Sequence, residues 1–190
     1  LLVDGDTVEK SNLNRQILFN NDDINKKKVD VAKEKLSKIN PNSKINIFDK
    51  NIDSKNIEIL SKSKIIVDAT DDWKTSKLLN EFCVKNSINF IFSSVVKHDV
   101  QIIFFDNKSK NNHLCLNCIF PNKNNVDLPR CETVGISGIS AGLAGLITAQ
   151  KIINFTLSLR KETGLLTISD VKRLNIDNIV VNNNHNCYLK

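Results

Sequence analysis

Short β-branched runs alternate with segments of helical period along the first hundred residues, and that alternation limits the available folds more than any other feature of the chain. "LLVDGDTV" at 1–8 reads as a short apolar strand ending in acids. In "NDDINKKKVDVAKEKLSKIN" the spacing predicts a helix that starts at Asp22 or Asp23, carries Val29, Ala32, Leu36 and Ile39 on one face, and stops at Pro41. "KINIF" and "KIIVDAT" predict strands, Leu78, Leu79, Phe82 and Cys83 share the face of a second helix, and "INFIFSS" predicts another buried strand. Strands that run the same way can be joined only through a long return, so this order requires parallel pairs with crossover helices. "DVQIIFFDN" then predicts a longer strand in a hairpin, followed by a Gly-rich helix at about 137–157 and two weaker strands in "TGLLTISDVKRLNIDNIVV". The expected class is α/β: a Rossmann-like, mostly parallel sheet with crossover helices and a mixed C-terminal portion. Neither a repeat nor a linker divides residues 1–190, so a single domain is expected.

Composition excludes several classes. The net charge of +6 comes from 27 basic and 21 acidic residues. Only Arg15, Arg130, Arg160 and Arg173 among the basic residues are arginine, and the lysines are scattered among Asn and Ile, so a nucleic-acid partner is not expected. The least charged run, "VGISGISAGLAGLITA" at 134–149, would span only about 24 Å as a helix, short of a bilayer's hydrocarbon core. A buried helix is expected there, and no membrane association. No secretory or transit segment is visible, so a cytoplasmic or organelle-internal protein is expected, a plastid included. The chain has no Met and opens directly on a strand, which suggests a fragment lacking its first element. Cys83, Cys115, Cys118, Cys131 and Cys187 form an odd, uneven set that fits reduced thiols, metal binding or catalysis better than a disulfide framework.

Several side chains suit particular chemistry, each with a structural alternative. In "SNLNRQILF" at 11–19, Leu13, Ile17, Leu18 and Phe19 can anchor the segment while Asn12, Asn14, Arg15 and Gln16 line its edge; the alternative is a surface loop whose amides cap backbone. Asp4 and Asp6, at a strand end, can accept hydrogen bonds from a ribose or cap a turn. Arg15 and Lys28 can neutralise phosphate oxygens, Lys28 from a helix whose positive end faces the same way. Asp71 and Asp72 can hold Mg²⁺ through oxygen or cap the helix that begins near Trp73. Cys115 and Cys118 have the spacing of half a tetrahedral zinc site, with His113, His185 and Cys187 as possible complements, or are two unliganded thiols. Cys131 lies beside Arg130, whose charge favours a thiolate. Gly138, Gly142 and Gly145, with Ala141 and Ala149, make a small-residue face suited to close packing against a sheet or another helix; their helical spacing is not that of a phosphate loop.

In order along the chain, "DGDTVEKSNLNRQILF", "NKKK" opening a helix, "INPNSK", "DATDD", "CLNC" and "CETVGISGISAGLAG" resemble the ThiF/MoeB branch of the ubiquitin-activating-enzyme-like adenylyltransferases. The resemblance runs over almost the whole chain and implies a single ThiF-type adenylation domain whose Gly-rich nucleotide loop would lie before Leu1. It implies ATP-dependent adenylylation of the C-terminal Gly-Gly carboxylate of a ubiquitin-like sulfur-carrier protein, in molybdopterin or thiamine biosynthesis or tRNA thiolation, by a homodimer. It assigns Asp4 to the ribose, Asn12, Arg15, Gln16 and Lys28 to the ATP pocket, Asp71 to Mg-ATP, Cys131 to sulfur transfer, and Cys115 and Cys118 to zinc, with Cys187 left from the second pair. Three positions depart from the family pattern: Asn25 replaces a glycine, Asp72 an asparagine, and Ser76 an arginine. The contrasting reading is a catalytically degenerate member that keeps the fold to dimerise or to bind a ubiquitin-like protein.

Overall fold

Strand β1, Leu2–Val3, pairs in parallel with β2, Ile47–Phe48, in the register Leu2↔Ile47 and Val3↔Phe48, and helix α1, Lys28–Ile39, is the crossover between them. These elements belong to the first of two units, Leu1–Asn56 and Ile57–Lys190, of a computed structural model that describes residues 1–108, 114–121, 135–160 and 162–182.

Helix α1 starts at Lys28, several residues later than Asp22 or Asp23. The acids do open a helical turn, but it is a single 3-10 turn, Asn21–Asp23, closed by reciprocal side-chain bonds between Asn20 and Asp23. Ile24 is extended, and Asn25 takes a positive φ of 69°, so the chain must restart its helix afterwards. Asp23 is buried and pairs with Lys35, which staples the turn onto α1. Val29, Val31 and Ala32 form the buried face of α1, whereas Leu36 is half-buried and Ile39, the last helical residue, is 75% exposed.

In the second unit, β3 (Ile65–Asp68), helix α2 (Trp73–Lys85) and β4 (Asn89–Val96) form a parallel crossover unit, paired from Ile65↔Asn89 to Asp68↔Phe92. From β4 onward the sheet is antiparallel, through β5 (Asp99–Phe105), β6 (Leu165–Asp170) and β7 (Asn175–Val180), in the spatial order β3-β4-β5-β6-β7. The expected α/β Rossmann-like fold with a mixed C-terminal sheet is therefore present. Side-chain alternation turns Phe92 toward Trp73 of α2, with Phe90 stacked on Phe105 on the same face, while Ile91, Ile102 and Phe104 pack against Ala144 of the long Gly-rich helix. A four-residue helix α3, Leu116–Ile119, precedes that helix, which is α4, Gly138–Thr156.

The orientation of α4 corrects one expectation. Gly142, Gly145 and Ala149 are exposed, and nothing lies within 4 Å of a side chain added at Gly142 or Gly145, so these three do not pack on the sheet. The buried face is instead Ser140, Ala144, Thr148 and Lys151. Polar anchors fix this rotation. Lys151 Nζ donates to Glu162 Oε2 at 2.9 Å and to the Leu165 carbonyl at 3.3 Å, Asn154 Nδ2 donates to Glu162 Oε1 at 2.7 Å, and Thr148 bonds Ser93. Turning the glycines inward would leave this buried ion pair broken, a change that costs about 3–5 kcal/mol for a buried pair losing one partner.

The positive φ at Asn25 gives the first testable outcome. A β-branched residue is disfavoured in that region by about 1–2 kcal/mol, whereas Gly adopts it freely. Asn25→Val should lower unfolding free energy by that amount in urea titration, and Asn25→Gly should leave it within a few tenths of a kcal/mol.

Candidate functional site

The chain leaves β1 through a turn built from its own acids. Asp4 Oδ1 accepts the Asp6 N–H at 2.8 Å, closing the turn over Gly5. Gly5 is required because Asn51 approaches closely: a Cβ there would stand 2.9 Å from both the Asn51 nitrogen and its Oδ1. The turn's outer atoms meet the start of α1. Lys28 N donates to the Asp6 carbonyl at 3.1 Å, and Lys28 Nζ lies 2.8 Å from Asp6 Oδ2 and 3.9 Å from Asp4 Oδ2. The ammonium is thus held at the N-terminal end of a twelve-residue helix, where the first backbone N–H groups have no partner within the helix and anions are favoured. The arrangement brings Asp4, Asp6 and Lys28 together, a pair of ribose-type acceptors beside a phosphate-type cation.

The segment 11–19 divides differently from the sequence expectation. Asn12 is buried, and its Oδ1 accepts the Glu9 N–H at 3.2 Å. Arg15 Nη1 donates to the Ser11 carbonyl at 2.9 Å and to Asn14 Oδ1 at 3.1 Å, which holds the guanidinium along its own loop. Gln16 is half-buried, with Oε1 lacking a partner among the described residues. Leu13, Leu18 and Phe19 are half-buried anchors, but Ile17 is 97% exposed and anchors nothing, because the 3-10 turn Lys10–Asn12 and the turn after it direct it outward.

After β3, three carboxylates within five residues take three different roles. Asp68 is buried, with Oδ1 accepting from Thr70 N at 3.0 Å and Thr70 Oγ1 at 2.8 Å. Burial pushes its pKa up, against the opposing pull of the Ser76 and Thr70 hydroxyls and the Thr70 N–H. Asp72 caps α2, its Oδ2 accepting from Thr75 N at 3.0 Å and Thr75 Oγ1 at 2.8 Å. Partial burial opposes its ionisation, and the bonds from Thr75 and Lys74 outweigh that and hold the carboxyl below its usual range. Asp71 stands exposed between them. Of the two candidate oxygen donors, Asp72 is the helix cap and Asp71 remains for a hard cation such as Mg²⁺, which keeps most of its waters and takes one or two carboxylates. Trp73 locks the turn from behind, its ring edge-on to Phe92 at 6.1 Å and to Phe120 at 5.7 Å.

Cys115 and Cys118 lie at the ends of one helical turn with their sulfurs 3.8 Å apart. Two Zn–S bonds of about 2.3 Å at a tetrahedral angle place their sulfurs about 3.8 Å apart, so the pair fits half of a zinc site. Among the described residues no group of three or more His, Cys, Asp or Glu side chains gathers to hold a metal. His113, Cys131, His185 and Cys187 lie outside the described residues. Cys83 is a different thiol, fully buried and pushed up to about 12 by burial and by the charge of Asp68. Such a thiol is inert.

The ThiF family model matches residues 1–189. The chain belongs to the ThiF family. Among its relatives, a sulfur carrier protein adenylyltransferase of Thermus thermophilus is 27% identical over 98% of this chain and 70% of its own length. A probable molybdopterin-synthase adenylyltransferase of Gracilaria tenuistipitata is 28% identical over 83% of this chain, which spans only 44% of that relative. Escherichia coli MccB, in a crystal structure with ATP, superposes with a TM-score of 0.81 at 18% identity, over 99% of this chain and 58% of MccB. Similarity at that identity shows the shared fold.

Two of the three departures from the ThiF pattern are physically conservative. Asn25 has the positive φ for which glycine is the default, and Asn tolerates that region better than other side chains. Asp72 caps a helix as asparagine would. Ser76 is buried and bonds the Asp72 carbonyl at 3.3 Å, so it cannot stand in for an arginine that reaches outward. Sequence reasoning overlooked Asp68 and Thr70. The signal available was a carboxylate closing an otherwise apolar strand, where burial forces it to find local donors.

Asp72→Ala should remove a cap worth about 1 kcal/mol. The Asp72 carboxyl titrates lower in the folded protein than its ordinary 3.8, so its contribution is complete above that value and is lost as pH falls through the folded one. Urea titrations across a pH series should show the gap between wild type and Asp72→Ala present at neutral pH and narrowing below the ordinary aspartate value.

Proposed function

We propose that residues 1–190 act as an adenylation domain of the ThiF family, activating the C-terminal Gly-Gly carboxylate of a ubiquitin-like sulfur-carrier protein with ATP. The observation that carries this reading is the Asp4-Gly5-Asp6 turn holding Lys28 at the start of α1 in a chain of this family. The adenylyltransferase names of the relatives support it, as does the ATP in the MccB crystal structure. The carrier carboxylate attacks the α-phosphorus, an O–P bond forms, the bond to pyrophosphate breaks, and an acyl-adenylate remains. The attacking carboxylate is already ionised, so no general base is needed. Catalysis then consists of positioning and charge stabilisation.

In this reading Asp4 accepts the ribose hydroxyls. Lys28 and Arg15 exchange their present partners for phosphate oxygens, Asn12 braces the turn before Arg15 through its bond from the Glu9 N–H, and Gln16 adds its amide to the ATP pocket. Mg²⁺ bound through Asp71 would offset charge on the leaving pyrophosphate. Zn²⁺ at Cys115 and Cys118 would be structural, completed by Cys187 and a histidine, and Cys131 would act after the adenylate forms, in sulfur transfer. The physically conservative replacements at Asn25 and Asp72 count against a degenerate scaffold. The described residues contain no helix long and apolar enough to cross a membrane.

Supplied with ATP, magnesium and a Gly-Gly-ended carrier, the full-length protein should exchange labelled pyrophosphate into ATP. Asp71→Asn should reduce the rate at least tenfold, the effect of about 1.4 kcal/mol on a barrier. Wild-type turnover in Asp71→Asn would remove Asp71 from its role, and no exchange across a panel of such carriers would remove the adenylation reading.

The same reading includes a homodimer, formed through the outer face of α4. Ile139, Leu146 and Ile153 are 71%, 73% and 45% exposed at heptad spacing, with Gly142 and Ala149 between them. Antiparallel pairing of two copies in one register sets Leu146 against Gly142 and Ile139 against Ala149. The only charged residue of α4 is Lys151, which is buried, so two chains of net charge +6 can meet there without apposing charges. Light scattering during gel filtration should give twice the chain mass for the wild type and one chain mass for Leu146→Glu with unchanged circular dichroism. A wild type of single mass at micromolar concentration would exclude the dimer.

A further inference from the structure

A helix of four residues cannot stabilise itself, so the placement of Cys115 and Cys118 depends on what holds α3 from outside. The N-cap position of α3 is Cys115 itself, whose side chain makes no capping bond. The cap comes instead from another helix. Asn80 of α2, 1% exposed, accepts the Leu116 N–H on its Oδ1 at 2.9 Å across 36 residues. Inside the turn, Cys118 N donates to the Cys115 carbonyl at 2.9 Å and Phe120 N to that of Leu116 at 3.0 Å, so all three bonds fix the arc on which the two sulfurs stand. The Trp73–Phe120 edge contact is a second tie between the same elements.

Two further groups suggest what this turn is shaped for. The side-chain amides Asn80 Nδ2 and Asn117 Nδ2 are buried without partners among the described residues. A buried amide donor without an acceptor is costly, and the chemistry that relieves that cost is an anionic acceptor such as a metal-bound thiolate. Asn117 lies between the two cysteines, and Asn80 is already bonded to the turn.

We infer that Asn80 is a positioning residue for divalent-cation binding by Cys115 and Cys118, capping α3 in trans so that the two sulfurs keep the tetrahedral separation. The inference rests on the zinc reading above and adds to it a residue that touches no metal. It also makes α2, the helix that begins just after Asp71, the support of the cysteine turn.

The test uses zinc alone, added to the full chain and measured by equilibrium competition with a colorimetric chelator, and Co²⁺ as a spectroscopic probe of thiolate ligation. Asn80→Leu should weaken zinc binding about 10- to 100-fold, the usual consequence of removing an outer partner of a metal ligand, and should shift the Co²⁺ visible bands. Leu79→Ala, at a buried neighbour on the same helix, serves as the control for destabilisation. It should lower the urea midpoint while leaving zinc affinity within threefold. Wild-type protein that takes up no zinc overturns the zinc reading and this inference with it. Zinc binding by the wild type that Asn80→Leu leaves unchanged, or that Leu79→Ala weakens equally, overturns the role of Asn80 alone.

Discussion

The parallel pairing of β3 with β4 is the constraint from which most of the second unit follows. Parallel neighbours cannot be joined by a tight turn, so α2 must carry the chain back, and its N-terminus must be satisfied where β3 ends. Acids gather there for that reason. Asp68 closes the strand and folds Thr70 back onto itself, Asp72 caps the helix, and Asp71 between them is left in solvent. A carboxylate available for chemistry is thus a by-product of two carboxylates committed to structure. The same helix carries Trp73 and Asn80, which brings the cysteine turn under the control of the same crossover.

The first unit reaches a comparable result with different parts. Its parallel pair is only two residues long on each side, so little of its order comes from the ladder. Side-chain bonds do much of the work: Asp4 to Asp6, Asp6 to Lys28, Asn20 to Asp23, and Asp23 to Lys35. Placing several charged groups in structural roles leaves the site preformed. The Asp6 side of the Asp6–Lys28 contact is exposed, while the Lys28 side chain is largely enclosed and held by its acids.

Helix α4 shows how a polar pair can decide the orientation of an apolar element. By hydrophobicity alone either side of the helix qualifies as the inner one, because its exposed side also carries Ile139, Leu146 and Ile153. Lys151, Asn154 and Glu162 remove that degeneracy. Burying an ion pair adds little net stability, but leaving one half of it unpaired is prohibitive, so the pair selects one rotation among several of similar apolar content.

The α/β class, the positions of most elements and the family were legible in the sequence, because hydrophobic period and the spacing of motifs such as "SNLNRQ", "DATDD" and "CLNC" are local properties of the chain. Of the candidate residues, the structure joins Asp4, Asp6 and Lys28, holds Arg15 along its own loop, leaves Asp71 exposed, and sets the sulfurs of Cys115 and Cys118 3.8 Å apart. Other features were decided only by tertiary structure. Which acid at the end of β3 would cap, which would be buried and which would remain exposed depends on the path of the backbone into α2. The start of α1 depends on a positive φ at Asn25 and a staple from Lys35, the inner face of α4 on Glu162, and the cap of α3 on Asn80. In most of these the deciding partner is more than ten residues away, and a periodicity read along the chain carries no record of what will lie across from it.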